Sequence, residues 1–151
     1  MLNKGDSLPE FDAKDQDGQL VKSSTLVGNQ SLVLYFYPKD ETPGCTKEAC
    51  SFRDHYHDFT EAGAQVVGIS SDSVESHKKF ADKHNLPFTL LSDESRRIEK
   101  KFGVKRNLFG LIPGRVTFIF AKDGKLAHKF DSQINIQGHI DEALSIIKQP
   151  V

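Results

Sequence analysis

Ser31-Leu32-Val33-Leu34-Tyr35-Phe36-Tyr37 runs directly into Pro38-Lys39-Asp40-Glu41-Thr42-Pro43-Gly44-Cys45-Thr46-Lys47-Glu48-Ala49-Cys50, which holds both cysteines of the chain. The first run is apolar and aromatic without alternation, the pattern of a strand buried on both faces in a largely parallel sheet. Pro38 stops it. Beyond it, Ala49, Phe52, Tyr56 and Phe59 recur at helical spacing, so a helix is expected to open between Thr42 and Cys45 and to run to about Ala62, where Gly63 ends it. Cys45 then sits in the first turn of a helix that follows a buried strand.

First-turn N–H groups lack intrahelical partners, and the macrodipole adds partial positive charge there; both favour a thiolate. Making a cysteine largely nucleophilic at neutral pH takes roughly 3.4 kcal/mol of preference for its charged form. A helix terminus alone supplies less, so a nearby cation is expected. On an ideal helix, residues five apart have Cα atoms roughly 8.6 Å apart, beyond the ~7 Å limit for a disulfide. Cys45 and Cys50 can pair only if this part of the helix unwinds. As a staple the bond would close a short loop worth only about 2 kcal/mol, offset by the helix it destroys. A metal site would need a second pair of thiols or imidazoles at suitable spacing, which is missing. A redox pair is the stronger reading.

Pro38, Thr42 and Cys45 form P-x-x-x-T-x-x-C, which resembles the motif of the peroxiredoxins, and Cys50 five residues on resembles the subgroup called peroxiredoxin Q or bacterioferritin comigratory protein. The likeness extends through Leu86-Pro87-Phe88-Thr89-Leu90-Leu91-Ser92-Asp93-Glu94 and Leu108-Phe109-Gly110-Leu111-Ile112-Pro113-Gly114-Arg115, and is strongest to the cyanobacterial and plant-plastid type. The resemblance implies a thioredoxin-like α/β fold: a mixed central sheet flanked by helices, with an N-terminal β-hairpin extension. It implies that Cys45 attacks peroxide and becomes a sulfenic acid, that Cys50 resolves it as a disulfide, and that thioredoxin reduces the product. It also implies that Thr42 hydrogen-bonds thiolate and peroxide, that Pro38 shields the site, and that Arg115 is the cation. The implied substrates are hydrogen peroxide and alkyl hydroperoxides, with no cofactor and no metal.

The 151 residues, 37% hydrophobic, fit one domain over 1–151. A net charge of −1 without a basic stripe argues against nucleic-acid binding. The longest apolar run is too short to span a membrane, and Met1 to Pro9 lacks a signal or transit pattern. A reducing cytoplasmic setting is expected, with a mature plastid form as the alternative. No interface pattern compels a dimer, so a monomer is expected.

Asp17-Gly18 marks an N-terminal hairpin and Asp123-Gly124 a second, between Val116–Phe120 and Leu126–Phe130. A buried strand is read at Gln65–Ser70, a helix at Ser73–His84 with Asp72 and Glu75 as capping box, a strand at Phe88–Leu91 and a helix at Glu94–Phe102. Ile140, Ala143, Leu144 and Ile147 mark a closing helix. The apolar loop Leu108 to Ile112 reads either as packed on the core or as a rim for substrate or partner. Arg115, before a strand, is either the cation of the Cys45 site or a solvated edge residue. His55 and His57 are read as surface or partly packed, the other histidines as scattered. Asp40, Glu41 and Glu48 are read as solvated or helix-start charges, although Glu48 could position a proton relay. Two other readings stay open: a redox sensor that exposes Phe52 and Tyr56 on unwinding, and a general thiol-disulfide oxidoreductase, whose usual C-x-x-C is absent.

Overall fold

The computed structural model describes residues 1–106, 110 and 112–149. Its elements follow the chain as β1 (Asp12–Lys14), β2 (Leu20–Lys22), β3 (Ser31–Phe36), α1 (Pro43–Asp54), α2 (Tyr56–Glu61), β4 (Ala64–Ser70), α3 (Val74–His84), β5 (Thr89–Ser92), α4 (Arg97–Phe102), β6 (Val116–Phe120), β7 (Leu126–Asp131) and α5 (Ile136–Ile147). The strands form a seven-stranded mixed sheet, ordered β2-β1-β5-β4-β3-β6-β7. β3 lies in its interior, next to the middle strand, parallel to β4 and antiparallel to β6. That position explains its unbroken apolar sequence, because both faces of the strand are covered.

Alternation along β3 divides the core. Val33, Tyr35 and Tyr37 face Cys45, Ala49 and Phe52 of α1, Phe59 of α2, Phe80 and Ala81 of α3, and Ile140 and Ala143 of α5. Leu32, Leu34 and Phe36 face the opposite layer, built from Ile98 and Phe102 of α4, Phe11 and Leu26. The β6–β7 hairpin turns at Gly124, whose φ of +83° suits glycine. The N-terminal hairpin is present too, with Ala13 opposite Val21. It is more than an appendage, since Lys14 pairs with Ser92 and so joins the hairpin to the sheet edge.

Several expectations need correction. The helix expected to reach Ala62 is broken at His55, whose φ of −102° and ψ of 7° end α1 before α2 begins. No proline or glycine marks this break. The capping residue of α3 is Ser73, whose hydroxyl accepts from Ser76 N–H at 3.1 Å. Asp72 accepts instead from Asp40 N–H at 2.9 Å and from the Ser70 hydroxyl at 2.6 Å. α4 starts at Arg97, later than expected, because the Asp93 carboxylate accepts from the N–H groups of Ile98 and Glu99 at 3.1 and 2.9 Å. Leu108, Phe109 and Leu111 of the apolar loop lie outside the described residues.

Tyr35 stacks on Phe52 with ring centroids 4.6 Å apart, which ties α1 to the sheet. The tip of the ring also lies over Gly68 of β4, where an added Cβ would fall 2.8 Å from Tyr35 Cζ and 3.0 Å from Leu90 Cδ2. Glycine is required there by space. Gly68→Ala is expected to destabilise the protein by about 1–3 kcal/mol through overpacking; an unchanged denaturant midpoint would contradict this packing account.

Candidate active site

The loop between β3 and α1 is held from below by a buried carboxylate. Asp40 accepts from the Tyr37 hydroxyl at 2.6 Å and the Ser76 hydroxyl at 2.8 Å, and its Oδ2 lies 2.7 Å from His77 Nδ1. His77 Nε2 lies 2.9 Å from the Leu91 carbonyl, so it must carry the proton that bond needs. Asp40, Asp72 and His77 place their polar atoms within 4.8 Å of one another, and these hydrogen bonds already occupy them. Asp40 is therefore an anchor for the loop, not the solvated charge expected from sequence.

Above this anchor the chain reverses at Glu41, whose φ is +67°. Thr42 takes the N-cap position with extended backbone, and Pro43 supplies the first helical residue. The Thr42 hydroxyl donates to the Lys39 carbonyl at 2.8 Å. Pro38 is half-buried at the exit of β3. Cys45 follows in the first turn of α1, 1% exposed.

Arg115 meets this turn from the start of β6. Its Nη2 donates to Cys45 Sγ at 3.4 Å, its Nη1 donates to Glu48 Oε1 at 2.6 Å, and its Nε donates to the Gln133 carbonyl at 3.2 Å. The guanidinium crosses α1 at Gly44, where an added Cβ would sit 3.1 Å from Nη2. Arg115 is 5% exposed and Glu48 is fully buried, so neither is solvated. Burial alone would lower the Arg115 guanidinium, but the neighbouring Glu48 and Cys45 override it and hold it above its ordinary value. Glu48 is pushed by burial up to about 7, with Arg115 pulling it back. The 2.6 Å contact is charge-assisted in length.

A further layer was not legible as such. His139 of α5 is buried, with Nδ1 2.8 Å from the Thr117 hydroxyl, Nε2 2.7 Å from the Ser132 carbonyl, and Nδ1 3.8 Å from Glu48 Oε2. Burial pushes its imidazole down to about 4. The signals were present in the spacing: Glu48 lies between Cys45 and Phe52 on the inward face of α1, His139 falls among Ile136, Ile140 and Ala143, and His77 precedes Phe80 and Ala81. His55 and His57, by contrast, lie towards solvent. Cys50 is partly exposed on the same intact helix, and both thiols are free.

A thiol held by a buried guanidinium at a helix start, on a sheet of this topology, defines a thioredoxin-like thiol peroxidase. The chain belongs to the AhpC/TSA family, whose model matches residues 4–129. It is similar to peroxiredoxin Q: the proteins of Sedum lineare and Arabidopsis thaliana, both named chloroplastic, are 51% and 50% identical over 97% of this chain and 78% and 68% of theirs. Among solved structures, the peroxidoxin BcpB of Mycobacterium tuberculosis is 39% identical with a TM-score of 0.91, over 98% of this chain and 97% of its own. The Xanthomonas campestris bacterioferritin comigratory protein, studied for its alkyl peroxide reduction activity, is 31% identical with a TM-score of 0.84, over 95% and 98%. Among the described residues no helix is long and apolar enough to cross a membrane.

The two displaced titrations act on stability with opposite signs. Glu48, raised from 4.5 to about 7, binds its proton more tightly when folded, so its contribution is full below 4.5 and is lost as pH rises through about 7. His139, lowered from 6.5 to about 4, contributes fully above 6.5, and that contribution is lost as pH falls through about 4. Between these limits the slopes oppose each other. The thermal unfolding midpoint, taken relative to the wild type, should therefore rise with pH in Glu48→Gln and fall with pH in His139→Asn across this range. Parallel profiles for all three proteins would refute the assignment.

Proposed function

We propose that the chain reduces hydrogen peroxide and alkyl hydroperoxides with Cys45 as nucleophile and Cys50 as resolving thiol. The observation that carries the reading is the Arg115 Nη2 contact to Cys45 Sγ at 3.4 Å, made in the first turn of α1. Cation and helix terminus act on the same sulfur, the pair of effects that favours a thiolate. The sulfur attacks the terminal peroxide oxygen, the O–O bond breaks, an S–O bond forms, and the departing hydroxide or alkoxide takes up a proton. Cys50 then displaces water from the sulfenic acid to give the disulfide.

Thr42 and Pro38 take supporting parts in this reading. Because the Thr42 hydroxyl proton is committed to the Lys39 carbonyl, its oxygen faces a peroxide as an acceptor, orienting the O–H of the substrate. That narrows the role implied by the resemblance, in which the same hydroxyl also served the thiolate. Pro38 contributes bulk without an N–H at the loop start, limiting water at the reacting atoms.

Both cysteines lie on α1, so resolution needs no second subunit and a monomer suffices. The disulfide requires α1 to open, which brings the bond outward for in-line attack by a dithiol such as thioredoxin. The similar Xanthomonas campestris protein, studied for its alkyl peroxide reduction activity, supports the wider substrate class. A reducing compartment, the cytoplasm or a plastid, supplies the electrons this cycle needs.

Stopped-flow mixing of reduced protein with hydrogen peroxide, followed by thiol counting, tests the reading. Cys45→Ser should abolish peroxide consumption while leaving the fold intact. Cys50→Ser should consume peroxide once, accumulate sulfenic acid at Cys45 and progress to sulfinic acid in excess peroxide. Turnover retained in Cys45→Ser would overturn the assignment.

A further inference from the structure

Arg115 carries one positive charge and meets two acids on separate nitrogens, Cys45 on Nη2 and Glu48 on Nη1. All three side chains are buried. Two anions around this cation would leave a net negative charge away from water, whereas one anion leaves the cluster neutral. The geometry also contains a place for the displaced proton. Glu48 Oε2 is fully buried and has no hydrogen-bond partner among the described residues. It lies 3.8 Å from His139 Nδ1.

The state of that nitrogen follows from its surroundings. His139 Nε2 faces the Ser132 carbonyl, which only accepts, so Nε2 carries the ring proton. With the imidazole neutral, Nδ1 bears a lone pair that accepts from the Thr117 hydroxyl 2.8 Å away, and it is freed when the Thr117 side chain turns about χ1. A bare carboxylate oxygen gains nothing from facing this lone pair. A protonated one can donate to it after a small side-chain movement.

We propose that Cys45 and Glu48 share one proton: in the reduced resting enzyme the sulfur is the thiolate, and the proton it gave up sits on Glu48 Oε2, directed at His139 Nδ1. This rests on Cys45 being the nucleophile. Glu48 and His139 are positioning residues, acting on the sulfur through Arg115. The ionisable groups around Glu48 are Arg115 from just before β6, His139 from α5 and Tyr35 from β3, with Cys45 of its own helix on the other terminal nitrogen of Arg115. The upward displacement of the Glu48 carboxyl by burial is in the required direction. The proton balance also closes. When the thiolate gives its electron pair to the peroxide oxygen, the sulfur loses its charge, Glu48 becomes the remaining anion for Arg115, and its released proton matches the one the departing oxygen takes up.

Infrared titration of the reduced protein tests this, with the carbonyl stretch of a protonated carboxyl assigned by its loss in Glu48→Gln and the ultraviolet thiolate absorbance read in the same sample. The wild type should show thiolate and protonated Glu48 together near neutral pH. In Cys45→Ser the Glu48 band should titrate away about one pH unit or more lower, since Arg115 then has a single acid to neutralise. His139→Asn should shift the band frequency. Thiolate without a protonated Glu48, or identical Glu48 titrations in wild type and Cys45→Ser, overturns proton sharing while leaving Cys45 as nucleophile. Absence of a Cys45 thiolate overturns both. A band insensitive to His139→Asn removes His139 from the proposal.

Discussion

The contact on which this structure depends is the guanidinium of Arg115 against the first turns of α1. It bridges a sulfur and a carboxylate that lie three residues apart, so it holds that turn in helical form as well as charging its surroundings. Burying such a cluster is expensive, and losing one partner of a buried ion pair typically costs about 3–5 kcal/mol. The rest of the fold reduces that cost. Arg115 is delivered by the residue position immediately before β6, the Gln133 carbonyl takes the third guanidinium donor, and Gly44 leaves room for the planar group to lie against the helix backbone. On the other flank, Asp40 ties the loop before α1 to Ser76 of α3 and to Asp72 in the turn that precedes α3.

The same contact makes the helix conditional. Its hold on Cys45 is strongest when the sulfur is anionic, and oxidation to the sulfenic acid removes that charge. In the proposed turnover, α1 therefore loses part of what fixes its first turns at the moment when Cys50 must approach. Tyr35, stacked on Phe52, keeps the later part of α1 seated on the sheet. The division between a releasable start and an anchored remainder lies within one helix.

Much of this was legible in the chain. The unbroken run from Leu32 to Tyr37 announced the interior strand, the two Asp-Gly dipeptides announced the hairpins, and Cys45 was placed at a helix start by Pro38 and the spacing of Ala49, Phe52 and Phe59. What escaped was decided by tertiary partners. Glu48, Asp40, His77 and His139 read as ordinary polar residues because their burial is compensated by groups far along the chain: Arg115, Ser76, the Leu91 carbonyl and the Ser132 carbonyl. Local spacing put them on inward faces, but only the fold supplied the partners. The late start of α4 escaped for a similar reason, since a carboxylate from Asp93 takes the N–H groups of Ile98 and Glu99; the break at His55 carries no proline or glycine that would mark it.

Amide hydrogen exchange on the reduced and oxidised protein tests the account most directly. An intact α1 keeps the two cysteines too far apart to bond, so the oxidised form should lose protection from Thr46 to Ser51 while β3 and the end of α1 beyond Ser51 stay protected. Equal protection across Thr46 to Ser51 in both redox states would contradict the account and require a different partner for Cys45.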